Sequence, residues 1–512
     1  MRTNIQTLRP GPVGVGGYRT LAPGPGEAFA VRTDAVSATP GGEPLLTVAH
    51  LSDLHLCDAQ SPARLECVDR WADPDSPLLD ELVEVGTYRA QEPLTAHVAE
   101  AAVRSINALS GVDLALVTGD ATDNAQANEL GWYTGLLEGG RICPDSGDPS
   151  RWEGVADSEV SDERFWHPSD PRADLPRERY GFPSVPGLLD AVRAPFQATG
   201  LAMPWLAVHG NHDRMLQGTI PASGLLAGAS TGSAKPIALP TDWSKDAVLA
   251  LLAGLESCDP AAIARLGELQ MRRVTADPAR RVTSRQQFVA AHFGVTARPA
   301  GHGFVAGGTR TYYRYDHGRV SILGLDTVNE HGGWQGSLDL AQLEWLDGEL
   351  AAADADRRYA VLASHHPLHT LINDRTGDAG PRVLAAGVAE VIARHPSAVL
   401  WLNGHTHHTT VALRGGLWEV TAPSLIDFPQ QTRLVSLLRS EQGTLTIDAS
   451  MVDHAGSAPW GGTIASLTEL AGLSRELAAN DWQWRRFELE QHPRAGTAQS
   501  RNVRLLLPDP WA

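Results

Sequence analysis

Five times along the 512-residue chain, a short apolar run stops abruptly at aspartate, asparagine or histidine. The runs are PLLTVAHLSD (44–53), VDLALVTGD (112–120), PWLAVHGNHD (204–213), RRYAVLASHH (357–366) and AVLWLNGHTHH (398–408). A continuous apolar run of this length fits a strand buried on both faces, as in parallel sheets covered by helices. Helical periodicity appears between them. TAHVAEAAVRSINAL (95–109) places Val98, Ala102, Ile106 and Leu109 on one face. PRVLAAGVAEVIARH (381–395) places Leu384, Val388, Val391 and Ile392 at i, i+4, i+7 and i+8. SLDLAQLEWLDGEL (337–350) reads as another helix. Strands alternating with helices predict an α/β sandwich.

The remaining segments set the domain boundaries. Residues 1–43, rich in Gly and Pro, read as an extended strap or tail. Residues 44–456 form the central domain, interrupted by inserts at about 57–91, 143–203 and 214–305. These are rich in Pro, Asp, Arg and Gly, with helical pieces at 246–256 and 284–293 in the third. Loops so long inside a compact domain act as lids or serve as packing, and both readings stay open. Residues 409–456 read as further strands, and 457–512 as a helix (463–481) and a tail bearing Trp482 and Trp484.

Composition excludes several partners. With 42 Lys and Arg against 60 Asp and Glu, the net charge is −18. Such a chain is a poor match for nucleic-acid backbones or anionic lipid. No apolar run approaches the ~18 residues of a membrane span. The first twenty residues lack an apolar h-region and a twin arginine, so the expectation is a cytoplasmic protein. Its four cysteines form no Cys-x-x-Cys pair, and reduced thiols are favoured over a Cys57–Cys67 disulfide. Oligomeric state is not legible.

Open α/β sheets place ligands at the C-terminal ends of their strands. There this chain has Asp53 and His55 (SDLH), Asp120 and Asp123 (GDATDN), Asn211 and His212 (GNHD), His365 and His366 (SHHP), and His405 and His407 (GHTH). A set of carboxylates, imidazoles and one amide suits Mn, Fe, Zn or Co. Asp53, His55, Asp120, Asn211, His365, His405 and His407 make seven donors, too many for one tetrahedral ion and enough for two sharing a carboxylate. Two ions ~3.5–4 Å apart form a clamp for phosphoester hydrolysis. Alternate residues of an extended segment diverge, so D-x-H and H-x-H need a turn. Gly119, Gly210 and Gly404, each preceding a candidate donor, are expected to provide it. Structural or supporting roles are expected for His50, His209, His366, His369 and His408.

In this order, D-x-H, G-D-x-x-D, G-N-H-[ED], H and G-H-x-H resemble the calcineurin-like metallophosphoesterase superfamily. ILGLDTVNEHGGWQGSLDLAQLEWLDGEL (322–350) and the SHHP tip are similar to its bacterial cyclic-nucleotide and glycerophosphodiester phosphodiesterase branch. The resemblance covers about 45–135, 200–215 and 310–430. It implies a four-layer αββα sandwich with long inserted segments. One metal would take Asp53, His55, Asp120 and His407; the other would take Asp120, Asn211, His365 (with His366 as second choice) and His405. Asp120 would be the bridge. It further implies that His212 stands beside the leaving group and that Asp123 orients it, raising its pKa and holding it protonated. Read from the residues alone, Asp123 is also a plausible turn cap. The implied activity is dimetal-dependent hydrolysis of a small phosphoester by a hydroxide shared between two divalent ions (Mn, Fe or Zn). A phosphodiesterase comes first, a phosphomonoesterase on the same site second, and a non-catalytic scaffold of this fold third.

Overall fold

The computed structural model describes residues 1–512 except 83–86, 161, 171, 223, 295, 309 and 378–379, so each insert has some residues outside the description. Two sheets stack at its centre. The first runs Ala30–Arg32, Val503–Pro508, Thr444–Asp453, Gln431–Arg439, Glu43–Leu51, Leu114–Thr118, Trp205–Val208; the last three strands are mutually parallel. The second runs Tyr313–His317, Val320–Gly324, Tyr359–Ala363, Ala398–Asn403, Leu417–Thr421, Thr410–Arg414, with a parallel core of four strands.

The period of two along each strand divides the second sheet's apolar side chains between two cores. Tyr359, Val361 and Ala363 face the central core shared with Val48, Leu116 and Val435 of the first sheet. Ala360 and Leu362 face the opposite way, onto Leu346, Leu350, Val388 and Ile392 of helices Leu340–Ala355 and Ala385–Ala393. Helices Thr95–Asn107 and Ala127–Glu138 share the central core on the first sheet's side. Helix Leu467–Ala479 packs on Thr95–Asn107. The architecture is the expected four-layer αββα sandwich.

Both ends of the chain are woven into this frame. The N-terminal segment folds as a hairpin (Gln6–Val13 with Arg19–Pro25) and continues into the edge strand Ala30–Arg32. The C-terminal segment, expected to close as a tail, contributes Val503–Pro508 to the interior of the first sheet.

The inserts build two cores of their own. Cys67, Val68 and Leu78 of the first insert pack with Leu216, Ile220, Val248, Leu251 and Leu255 of the third. The second insert brings Trp152, Phe165, Trp166 and Phe182 against Tyr88, Leu473 and Trp482. Cys57 and Cys67 are free thiols in separate clusters. Among the described residues, no helix is long and apolar enough to cross a membrane.

Candidate metal centre

Parallel pairing places Asp53, Asp120 and Asn211 just past the ends of three adjacent strands of the first sheet. His365 and His405 follow two adjacent strands of the second. The ladder continues past the strand ends: the Asp53 amide donates to Gly119 O (3.1 Å) and the His55 amide to Asp120 O (2.9 Å). Gly404 N donates to His365 O (3.0 Å).

Seven predicted donors gather here. Asp120 Oδ2 lies 3.1 Å from His365 Nε2 and 3.7 Å from His55 Nε2. His407 Nε2 is 3.4 Å from Asp53 Oδ1 and 3.1 Å from His55 Nε2. His405 Nδ1 is 3.2 Å from His365 Nε2. Two nitrogens bound at 2.0–2.1 Å to one tetrahedral ion lie about 3.3 Å apart, so these separations suit shared cations. Ligand atoms of Asp53, His55 and His407 form one metal-capable group, and those of Asp53, Asp120 and His365 another. Asn211 joins them through its amide: Nδ2 donates to Gly218 O (3.0 Å), leaving Oδ1 buried with no hydrogen-bond partner.

Outer partners settle the tautomers of three imidazoles. A carbonyl or carboxylate oxygen only accepts, so the facing ring nitrogen carries the proton. His365 Nδ1 donates to Thr118 O (2.8 Å), His55 Nδ1 to Asp123 Oδ1 (3.0 Å) and His407 Nδ1 to Asp427 Oδ2 (2.5 Å). Each Nε2 is thus the nitrogen that faces the centre, the usual way a protein aims a metal-binding histidine.

Charge points the same way. Burial opposes ionisation of Asp53 and Asp120, yet His407 holds Asp53 below the usual carboxylate range. His365, His212 and His55 hold Asp120 well below it. Burial likewise opposes a proton on His365, but Asp120 raises its pKa to about 9. Asp123 and Asp427 are matched by arginines: Arg64 pairs with Asp123, and Arg89 and Arg494 (each 2.6 Å) with Asp427. Asp53 and Asp120 are met by histidines and backbone amides, including the His405 amide at 3.0 Å from Asp53 and the His212 amide at 2.8 Å from Asp120. Two buried carboxylates ringed by imidazole nitrogens suit cations, which would displace the proton that Asp120 keeps on His365. The residues present fit two divalent ions.

No family model matches the chain, and neither does any curated protein. Among solved structures it is similar to a dimetal phosphatase from Danio rerio, at 12% identity over 80% of this chain and 100% of that one (TM-score 0.36). A purple acid phosphatase from yellow lupin is 11% identical over 85% of this chain and 55% of its own (TM-score 0.30). A calcineurin-like phosphoesterase from Bacillus subtilis is 10% identical over 86% and 99% (TM-score 0.27). Likenesses this loose carry nothing about function, which is decided by the side chains.

Two expectations need correction. Of the three glycines, only Gly119 turns through the left-handed region (φ 86°). The other turns are taken by the candidate donors themselves: Asp53 (52°), His55 (43°), Asp120 (48°), His405 (71°) and His407 (57°). Gly210 and Gly404 provide room instead. A Cβ on Gly210 would lie 2.2 Å from Asp120 Oδ1, and one on Gly404 would lie 1.8 Å from Ser52 Oγ. The second correction concerns Asp123. Its backbone carbonyl, not its carboxylate, clamps His212 Nδ1 (2.6 Å); the nearest carboxylate oxygen is 3.9 Å away. The carboxylate serves His55 and Arg64. Burial therefore prevails over Asp120 and Asp123, and the His212 pKa is lowered rather than raised.

His366 joins His365 and His405 in a third metal-capable group, yet both its ring nitrogens are engaged, by Thr327 Oγ1 (2.7 Å) and Trp334 O (2.9 Å). Those two bonds suit a supporting residue. His50 bonds Thr118 Oγ1 (2.9 Å). Sequence reasoning missed Asp427, Arg64, Arg89 and Arg494, none of which stands in a local motif, and gave no role to Trp334 within the 322–350 stretch. The first and third inserts wall the His212 side, through Arg64 on Asp123 and Gly218 on Asn211.

Proposed function

We propose that this chain is a phosphoester hydrolase working with two divalent ions, acting on a diester before a monoester. The observation that carries the reading is the buried pair Asp53 and Asp120, met at 3.1–3.7 Å by imidazole nitrogens whose outer N–H groups are already committed. When bound, the ions would acidify a water toward neutral pKa and neutralise charge on the phosphoryl oxygens.

The chain's own groups do the rest. Asp123, Thr118 and Asp427 hold three histidines in the ligating tautomer. His212, 19% exposed at its side chain, sits at the mouth with Nδ1–H fixed on a carbonyl. Its Nε2, left without a proton by that tautomer and the lowered pKa, must take one up before it can pass it to the leaving oxygen. Preference for a diester rests on the 322–350 stretch and the SHHP tip, and Mn, Fe and Zn all suit the donors.

The test strips the protein with chelator, reloads it with Mn²⁺, and measures bound metal beside hydrolysis of bis-p-nitrophenyl and p-nitrophenyl phosphate. Two ions per chain and faster turnover of the diester are expected. A protein that holds two ions and cleaves neither ester overturns the reading.

A further inference from the structure

Trp334 lies at the edge of the centre, not inside it. Its indole stacks on the His405 imidazole, with ring centroids 5.6 Å apart and planes 26° from parallel, yet the residue is 47% exposed. One exposed tryptophan on a loose loop would mean nothing. This loop is pinned residue by residue. Gly333 N donates to Thr219 O (3.0 Å), on the insert wall beside His212. Trp334 O accepts from His366 Nε2 (2.9 Å) and Gln335 O from Asn373 Nδ2 (3.0 Å). Gly336 N donates to Thr370 O and Gly336 O accepts from Asn373 N, both at 3.0 Å. Gly332 takes φ 100°, and a Cβ there would lie 2.5 Å from Glu256 O. A large apolar ring is thus held open to water, in register with a candidate ligand, by a loop that cannot readily turn it inward.

We propose that Trp334 is a specificity-determining platform for a flat unsaturated ring carried by the substrate next to its phosphoester. The inference rests on the phosphoester reading above and narrows it to aryl or heteroaryl esters over aliphatic ones. An aromatic face accepts another in offset stacking regardless of ring identity, and burying both faces adds apolar area. His405 backs the indole on one side, so the substrate ring would lie on the solvent side with its phosphoryl group toward Asp120.

The experiment uses the full-length, Mn²⁺-loaded protein and two non-hydrolysable probes, phenylphosphonate and methylphosphonate, titrated by calorimetry. Wild type should bind the phenyl probe on the order of ten-fold more tightly. Trp334→Ala should bring that ratio close to one, and Trp334→Phe should restore most of it, with metal content measured in every variant. Equal affinity of wild type for both probes, or a ratio that survives in Trp334→Ala, overturns the platform while phosphonate binding leaves the phosphoester reading standing. Binding of neither probe, together with no ester turnover, overturns both.

Discussion

Asp120 Oδ2, the proposed bridge, lies 3.1 Å from His365 Nε2 and 3.7 Å from His55 Nε2, while Asp53 is the carboxylate common to two of the metal-capable groups. Asp120→Ala should therefore empty both positions, as metal analysis after gel filtration would show; full occupancy in that variant removes the bridge. His212→Ala should keep both ions, since neither metal-capable group that contains Asp53 includes that ring, and lose turnover by ~10²–10⁴. Steady-state kinetics with parallel metal analysis separates the two outcomes. Asp427 acts one bond further out. It fixes the His407 tautomer and is itself held by Arg89 and Arg494. Asp427→Asn should weaken metal binding ~10–100-fold, measured by competition with a chelating dye. An unchanged affinity would show that His407 is oriented without it.

At the scale of elements, the centre is made by strand ends that turn inward against their own preference. Five candidate donors adopt left-handed φ values, each at a cost of roughly 1–2 kcal/mol for a residue with a Cβ. Those turns persist because the ladder continues beyond the strands and the two sheets press the ends together. The fit leaves no room at Gly404, where a Cβ would lie 2.3 Å from Asp53 Oδ2. Gly404→Ala should lower stability by ~1–3 kcal/mol in urea unfolding and reduce bound metal. Gly416→Ala, where a Cβ meets nothing within 4 Å, is the matched control and should change neither.

The whole molecule carries a burden of buried histidines remote from ligation. Burial lowers His97 to about 4 and His292 to about 3; burial and a nearby arginine lower His492 to about 3. In the unfolded chain each titrates near 6.5. As pH falls below 6.5 the unfolded state takes up protons that the folded state refuses, so stability is complete above that value and lost progressively toward pH 3–4. Each of these histidines should remove of order 2 kcal/mol of unfolding free energy at pH 5, while the buried carboxyls Glu92 and Asp481, raised to about 8 and about 6, act in the opposite sense. His292→Gln should lose less stability than wild type between pH 7 and pH 5 in urea unfolding, and an identical pH dependence of the two proteins would refute the assignment.

Five apolar runs with polar tips were enough to foresee an α/β sandwich, because strands buried on both faces must be continuously apolar and ligands collect where they end. The gathering of the seven candidate donors was legible for the same reason: each follows its strand by a few residues, so local spacing determines its position. Helix periodicity was equally local, and Val98, Ala102, Ile106, Val388, Val391 and Ile392 are buried as expected, whereas Leu109 and Leu384 are half-buried and lie outside the helices. What spacing could not carry is who stands behind whom. Asp427 reaches His407 across 20 residues, Arg64 reaches Asp123 across 59, and Trp334 reaches His405 only because two loops meet over a wall built by an insert. The direction of the His212 pKa was decided in the same way, since burial and a choice between carbonyl and carboxylate are properties of packing rather than of sequence. Short-range chemistry is written along the chain, whereas electrostatic environment and outer contacts exist only once distant segments enclose the same few cubic ångströms.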